Sequence, residues 1–72
     1  MSDDFGERLK IARIAKGLNQ RELAEKIGLT KQQITKYETG SSTPSYDVLK
    51  KICLELNTSA DWLMGITLRN DI

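Results

Sequence analysis

A chain of 72 residues allows one small domain and excludes a multidomain enzyme or a propeller. One cysteine and no histidine exclude an intramolecular disulfide, a metal cage around Cys53 and any mechanism that needs a histidine base. The 11 Lys+Arg against 10 Asp+Glu give a net charge of +1, which at face value argues against a nucleic-acid ligand, while 39% hydrophobic residues exclude a disordered chain.

Helix punctuation divides the chain into five segments, and no stretch alternates in the manner of a strand. The first is expected from about Asp4 to Lys16, with Phe5, Leu9, Ala12 and Lys16 on one stripe and Gly17 as its stop. Asn19 caps the second, Glu22 stands three residues later, Leu23, Ala24 and Ile27 form the apolar face, and Gly28 ends it. Thr30 and Gln33 fit a capping box at the start of the third, whose inner face holds Ile34 and Tyr37 and whose stop is Gly40. Ser45, after Pro44, caps a fourth helix with Leu49, Ile52, Cys53 and Leu56 on one side and Asn57 at its end. The fifth is the short run Asp61-Trp62-Leu63-Met64 between Ser59 and Gly65. This predicts an all-α fold of five helices. The acidic start, Met1-Ser2-Asp3-Asp4, is unlike a targeting peptide, and no apolar run nears the ~18 residues of a membrane span, so a cytoplasmic chain without a membrane partner is expected.

Residues 20–39 form the segment of interest. Two helices joined at Gly28-Leu29 are too closely linked to lie antiparallel and must cross steeply. Such a crossing needs a small residue at closest approach (Ala24), a residue at ease with positive φ (Gly28), and a shared apolar wedge (Leu23, Ile27, Leu29, Ile34, Tyr37). The matching features in order are Leu-Asn-Gln-x-Glu-Leu-Ala at 18–24, Ile-Gly-Leu-Thr at 27–30, Ile34, Tyr37-Glu38-x-Gly40, Pro44 and Asp-Trp-Leu-Met-Gly at 61–65. Over about residues 9–65 the chain resembles the Cro and phage-repressor, or Xre-like and lambda-repressor-like, type of helix-turn-helix DNA-binding domain.

The resemblance implies that the third helix enters the major groove. On its helical wheel Lys31, Gln32, Thr35 and Lys36 lie opposite Ile34 and Tyr37, which makes them the candidate base readers. Gln pairs with adenine, Lys donates to guanine acceptors, and the Thr methyl meets the thymine methyl. On an arbitrary helix such a polar arc is merely solvated. The resemblance further implies phosphate contacts from Asn19, Gln20 and Gln33 and from the loop residues Thr39, Ser41, Ser42 and Thr43, a loop here without Lys or Arg. It also implies a partly buried Arg13–Glu38 ion pair. Gln20 could in addition stack on Gln32 and hold it.

The expected activity is sequence-specific binding of double-stranded operator DNA by a transcriptional regulator, a repressor acting as a homodimer on a palindromic site. The alternative is an interaction module or antitoxin-type component that keeps the fold. No enzyme, cofactor, metal or small-molecule effector is expected: the chain has no nucleophile–base constellation and no Gly-rich phosphate loop. Tyr37, Trp62 and Cys53 read as core or boundary residues.

Ile11, Ile14 and Leu54 fall off the inner faces. The isoleucines are inconsequential surface residues, or are covered by Ile66, Leu68 and Ile72 of the tail, or meet another subunit; the tail, 66–72, beyond a domain at 1–65, is a candidate dimerisation element. The balanced total charge conceals a distribution. Residues 8–36 hold eight basic residues against two acidic ones, and both flanking segments are net acidic.

Overall fold

The computed structural model describes residues 5–66, and every regular element among them is a helix: α1 (Phe5–Ala15), α2 (Gln20–Ile27), α3 (Lys31–Thr39), α4 (Tyr46–Leu56) and α5 (Ala60–Leu63). The boundaries follow local chemistry. Asn19 Oδ1 accepts from the Glu22 N–H at 2.7 Å, and the Glu22 carboxylate accepts from the Asn19 N–H at 2.8 Å. Thr30 Oγ1 and Gln33 repeat the exchange at 3.2 and 3.1 Å. Ser45 and Ser59 cap α4 and α5 through their hydroxyls. A cap of this kind contributes about 0.5–2 kcal/mol. At the other end of α2, Gly28 has φ 77° and ψ 28°, and the Leu29 N–H returns to the Ala24 carbonyl at 2.8 Å. A side chain at this left-handed position would strain the backbone, so glycine permits the three-residue connection into α3.

Two boundaries differ slightly from the sequence expectation. α1 stops at Ala15 because Gly17 and Leu18 turn back to hydrogen-bond the Ile14 and Arg13 carbonyls, which leaves Lys16 exposed and not at the end of the apolar stripe. α5 starts at Ala60, directly after its Ser59 cap, and ends at Leu63.

The helices close around Leu9, Leu23, Ala24, Ile27, Ile34, Tyr37, Ile52, Leu56 and Leu63, with Phe5, Ala12, Leu18, Leu29, Val48, Leu49 and Cys53 packed about them. α3 is central: α1 and α2 both pack on it, while α4 supports α2, and α5 bridges α1 and α4. The sequence pattern places Ala24 at the close approach of α2, and Ala24 is buried. A second close approach has no periodicity signal. Gly6 is buried where α1 meets the end of α3, and a Cβ there would lie 2.7 Å from the Tyr37 carbonyl oxygen and nearer still to that of Glu38. Ile11, Ile14 and Leu54 stand 52, 56 and 74% exposed, and Ile66 is also exposed; Leu68 and Ile72 lie outside the described residues. Trp62 is a boundary residue at 39% exposure, with the Arg8 guanidinium 5.1 Å from its ring centroid. Burial pushes the Cys53 thiol up, away from the reactive thiolate. Among the described residues no helix is long and apolar enough to cross a membrane.

Gly6→Ala is expected to destabilise the fold by about 1–3 kcal/mol, because backbone and not a flexible side chain must give way. Ile14→Ala, on exposed surface, should stay within about 0.5 kcal/mol. Urea unfolding of the two variants measures the contrast.

Candidate nucleic-acid interface

The caps and the Gly28 turn set α2 and α3 as one unit, and the side chains divide accordingly. Leu23, Ala24, Ile27, Ile34 and Tyr37 are buried, and Leu29 is half-buried at the turn. Lys31, Gln32 and Lys36 are exposed on α3. Thr35 shares their arc but is half-buried, because its hydroxyl is engaged on the protein side. The first turn of α2 lies close by: Asn19, Gln20, Arg21 and Lys31 line one shallow depression together with Arg13. Arg21 was not singled out in the sequence, where it is one of many basic residues; its place beside the α2 N-terminus distinguishes it. By helical geometry the leading N–H groups of α2 have no acceptor within the helix, so this end can receive an anion.

Behind that surface lies a buried charge pair. Arg13 Nε donates to Glu38 Oε2 at 2.6 Å and Nη2 to Oε1 at 3.2 Å, while Nη1 donates to the Leu18 carbonyl at 2.8 Å. The two side chains are only 9 and 4% exposed. The guanidinium thereby joins α1, the α1–α2 turn and the end of α3. The Gln20 amide adds α2: Nε2 donates to Glu38 Oε1 at 2.9 Å, and Oε1 accepts from Thr35 Oγ1 at 3.0 Å. Both ends of the Gln20 amide are thus hydrogen-bonded, to Glu38 and to Thr35. The anchored carboxylate is the stronger acceptor, since a hydrogen bond to an ionised group exceeds one between neutral amides.

The remaining expected phosphate contacts are dispersed in character. Gln33 is exposed, but its side-chain oxygen is occupied by the Thr30 cap. Thr39 Oγ1 donates to the Lys36 carbonyl at 3.3 Å and lies 3.1 Å from Ser41 Oγ, so these hydroxyls cluster at the end of α3. Ser42 is half-buried, its N–H directed to the Lys36 carbonyl. Thr43 borders an apolar groove with Phe5, Pro44, Leu49 and Met64. The basic residues separate too. Arg8 lies over Trp62, Arg13 is paired with Glu38, and Lys26 approaches Glu55 at 3.8 Å. Lys31 and Lys36 remain on the exposed arc of α3 with Gln32.

A family model described as helix-turn-helix matches residues 9–63. The chain belongs to the Xre-like, lambda-repressor-type helix-turn-helix family. It is 42% identical over 60 residues to YonR, a prophage-derived HTH-type transcriptional regulator of Bacillus subtilis, covering 83% of this chain and 56% of that protein. It is 38% identical over 61 residues to the HTH-type transcriptional regulator ImmR of the same organism, covering 85 and 48% of the two chains. The chain thus spans about half the length of these curated relatives. Among solved structures, the P22 c2 repressor in complex with a synthetic operator superposes with a TM-score of 0.82 at 24% identity, over 88% of this chain and 96% of that one, a likeness of fold. PlcR of Bacillus thuringiensis, in complex with the peptide PapR7 and DNA, gives 0.79 at 26% identity over 97% of this chain and 25% of its own. The family match spans most of the chain, and both curated relatives are described as HTH-type transcriptional regulators.

In this helix-turn-helix domain the Arg13–Glu38 pair is expected to be strongly coupled. Arg13→Met or Glu38→Leu alone leaves the other charge buried and should cost about 3 kcal/mol. The double variant should recover most of that, so that a double-mutant cycle in urea gives a coupling above about 1.5 kcal/mol; two independent surface charges would give about 0–1 kcal/mol.

Proposed function

We propose that the chain binds double-stranded operator DNA sequence-specifically as a homodimer, with α3 in the major groove, and that it acts as a repressor by occupying the operator. The observation that carries this reading is the exposed arc of Lys31, Gln32 and Lys36 on a helix whose opposite face is locked into the core by Ile34 and Tyr37. Donors and an amide on a rigid helix are what base-edge readout requires. Lys31, Gln32, Thr35 and Lys36 are the base-reading residues. Phosphates are held by the α2 N-terminus, through Asn19 and the backbone N–H of Gln20, by Gln33, and by the hydroxyl-bearing loop residues Thr39, Ser41, Ser42 and Thr43. Solved neighbours of the same fold include a repressor with a synthetic operator and PlcR with a peptide and DNA, which supports the reading. A symmetric pair of such domains reads two half-sites about one helical turn, ~34 Å, apart, and the exposed Ile11 and Ile14 together with the 66–72 tail are the candidate contacts between subunits.

Selection of bound sites from a random duplex pool is expected to return a sequence with two inverted halves at that spacing. A single unpaired half-site, with a monomer by light scattering on the DNA, would remove the dimer. On the selected site Gln32→Ala should cost about 1–3 kcal/mol, with little change on random DNA. Equal losses on both would show that Gln32 does not read a base.

A further inference from the structure

The hydrogen bonds around Glu38 have a fixed direction, and that direction ends on the recognition helix. A carboxylate held by a guanidinium carries no proton and can only accept. Glu38 takes Arg13 Nε on Oε2 and Gln20 Nε2 on Oε1. Gln20 must therefore turn its nitrogen to Glu38 and its oxygen away, a choice set by the network. That oxygen lies 3.0 Å from Thr35 Oγ1 and has no proton to give, so the hydroxyl is the donor. A hydroxyl has a single proton. The other acceptor near it is the Lys31 carbonyl oxygen at 3.1 Å, also within the protein. Whichever of the two receives it, the Thr35 proton is directed inward. What Thr35 retains for a ligand is an acceptor lone pair and its methyl group.

We propose that Gln20 is a positioning residue that makes Thr35 an acceptor and methyl contact only, so that the base edge opposite Thr35 is selected for an exocyclic amine (adenine or cytosine) or for the thymine methyl, and against guanine. Guanine shows only acceptors in the major groove, N7 and O6, and would face Thr35 lone pair to lone pair. The inference rests on α3 being the DNA-reading helix. It gives the buried ion pair a role in specificity, since Arg13 fixes Glu38, Glu38 fixes the Gln20 amide, and Gln20 fixes the Thr35 hydroxyl. It also explains why Gln20 matters specifically. The Lys31 carbonyl is shared with the helical N–H of Thr35, so loss of the Gln20 oxygen leaves the hydroxyl one shared inward acceptor in place of two and weakens its hold on the inward orientation.

The test is selection of sites from a random duplex pool with the full chain, with Thr35→Ala and with Gln20→Met. Thr35→Ala identifies the base that Thr35 faces as the position whose preference changes. Gln20→Met keeps the side-chain length and removes both amide hydrogen bonds. It is expected to reduce discrimination against guanine at that same position by at least about fivefold, the low end for one base contact, and to leave other positions unaltered. Selection of guanine there by the wild type overturns the proposal, as does an unchanged profile in Gln20→Met. A uniform loss on all sequences, with the salt slope reduced by about one, also overturns it and makes Gln20 a phosphate contact. A wild-type chain that selects no sequence removes the DNA reading and the base preference together. The Thr35 hydroxyl proton in the free protein separates the two levels: a slowly exchanging hydroxyl resonance close to the Gln20 side chain is expected by NMR in the wild type and faster exchange in Gln20→Met, and a wild-type hydroxyl averaged with solvent refutes the relay whatever the DNA result.

Discussion

The Arg13–Glu38 ion pair is the constraint on which the arrangement of the domain depends. A charge this deeply buried is costly unless it is matched, and here each guanidinium nitrogen has an acceptor, Nε and Nη2 on the Glu38 carboxylate and Nη1 on the Leu18 carbonyl. The pair therefore acts as a geometric condition on folding. α1, the α1–α2 turn and the end of α3 must all be in place before the desolvation of either charge is offset. Gln20 extends the condition to α2. Buried contacts between apolar residues tolerate small slips, whereas a bidentate charge pair with directional partners does not.

The second close fit, at Gly6, lies at the same place. The absence of a side chain lets the first turn of α1 approach the backbone of Tyr37 and Glu38, which brings Arg13, two turns further along α1, level with the Glu38 carboxylate. The left-handed turn at Gly28 and the two capping boxes set the ends of α2 and α3, and the shared core residues Leu23, Ala24, Ile27, Ile34 and Tyr37 hold the two helices together. The domain thus joins a two-helix unit with locally determined ends to α1 through one non-local charge pair. That division suits a chain of 72 residues, in which a core of nine buried apolar side chains among the described residues leaves little margin for indecision between packings.

Charge has a similar structure. The near-neutral total is an average over a basic central segment and acidic flanks, and the central segment is itself divided by the fold. Arg8, Arg13 and Lys26 are used in contacts within the protein, whereas Lys31 and Lys36 stay on the outer arc of α3 and Arg21 stands beside the α2 N-terminus. An anion near α3 therefore meets fewer cations than the segment contains, but meets them beside the N-terminus of α2.

The helices and their ends were legible in the sequence, because caps, glycine stops and an apolar stripe act over three or four residues. Asn19 with Glu22, Thr30 with Gln33, and Gly28 behave in the fold as their spacing requires. The Arg13–Glu38 pairing, 25 residues apart, was legible only through resemblance to a family, since no local pattern links the two. What the tertiary structure alone decided is where each polar side chain directs its hydrogen bonds. Thr35 belongs to the outer arc by periodicity, yet its hydroxyl faces Gln20, whose amide in turn faces Glu38; Gly6 looks like any small residue, yet a backbone lies against it. The reason is physical. Helix propensity and capping are properties of neighbouring residues, whereas the partner of a buried donor is chosen by competition among all acceptors within about 3 Å, and only the assembled fold determines which of them are there.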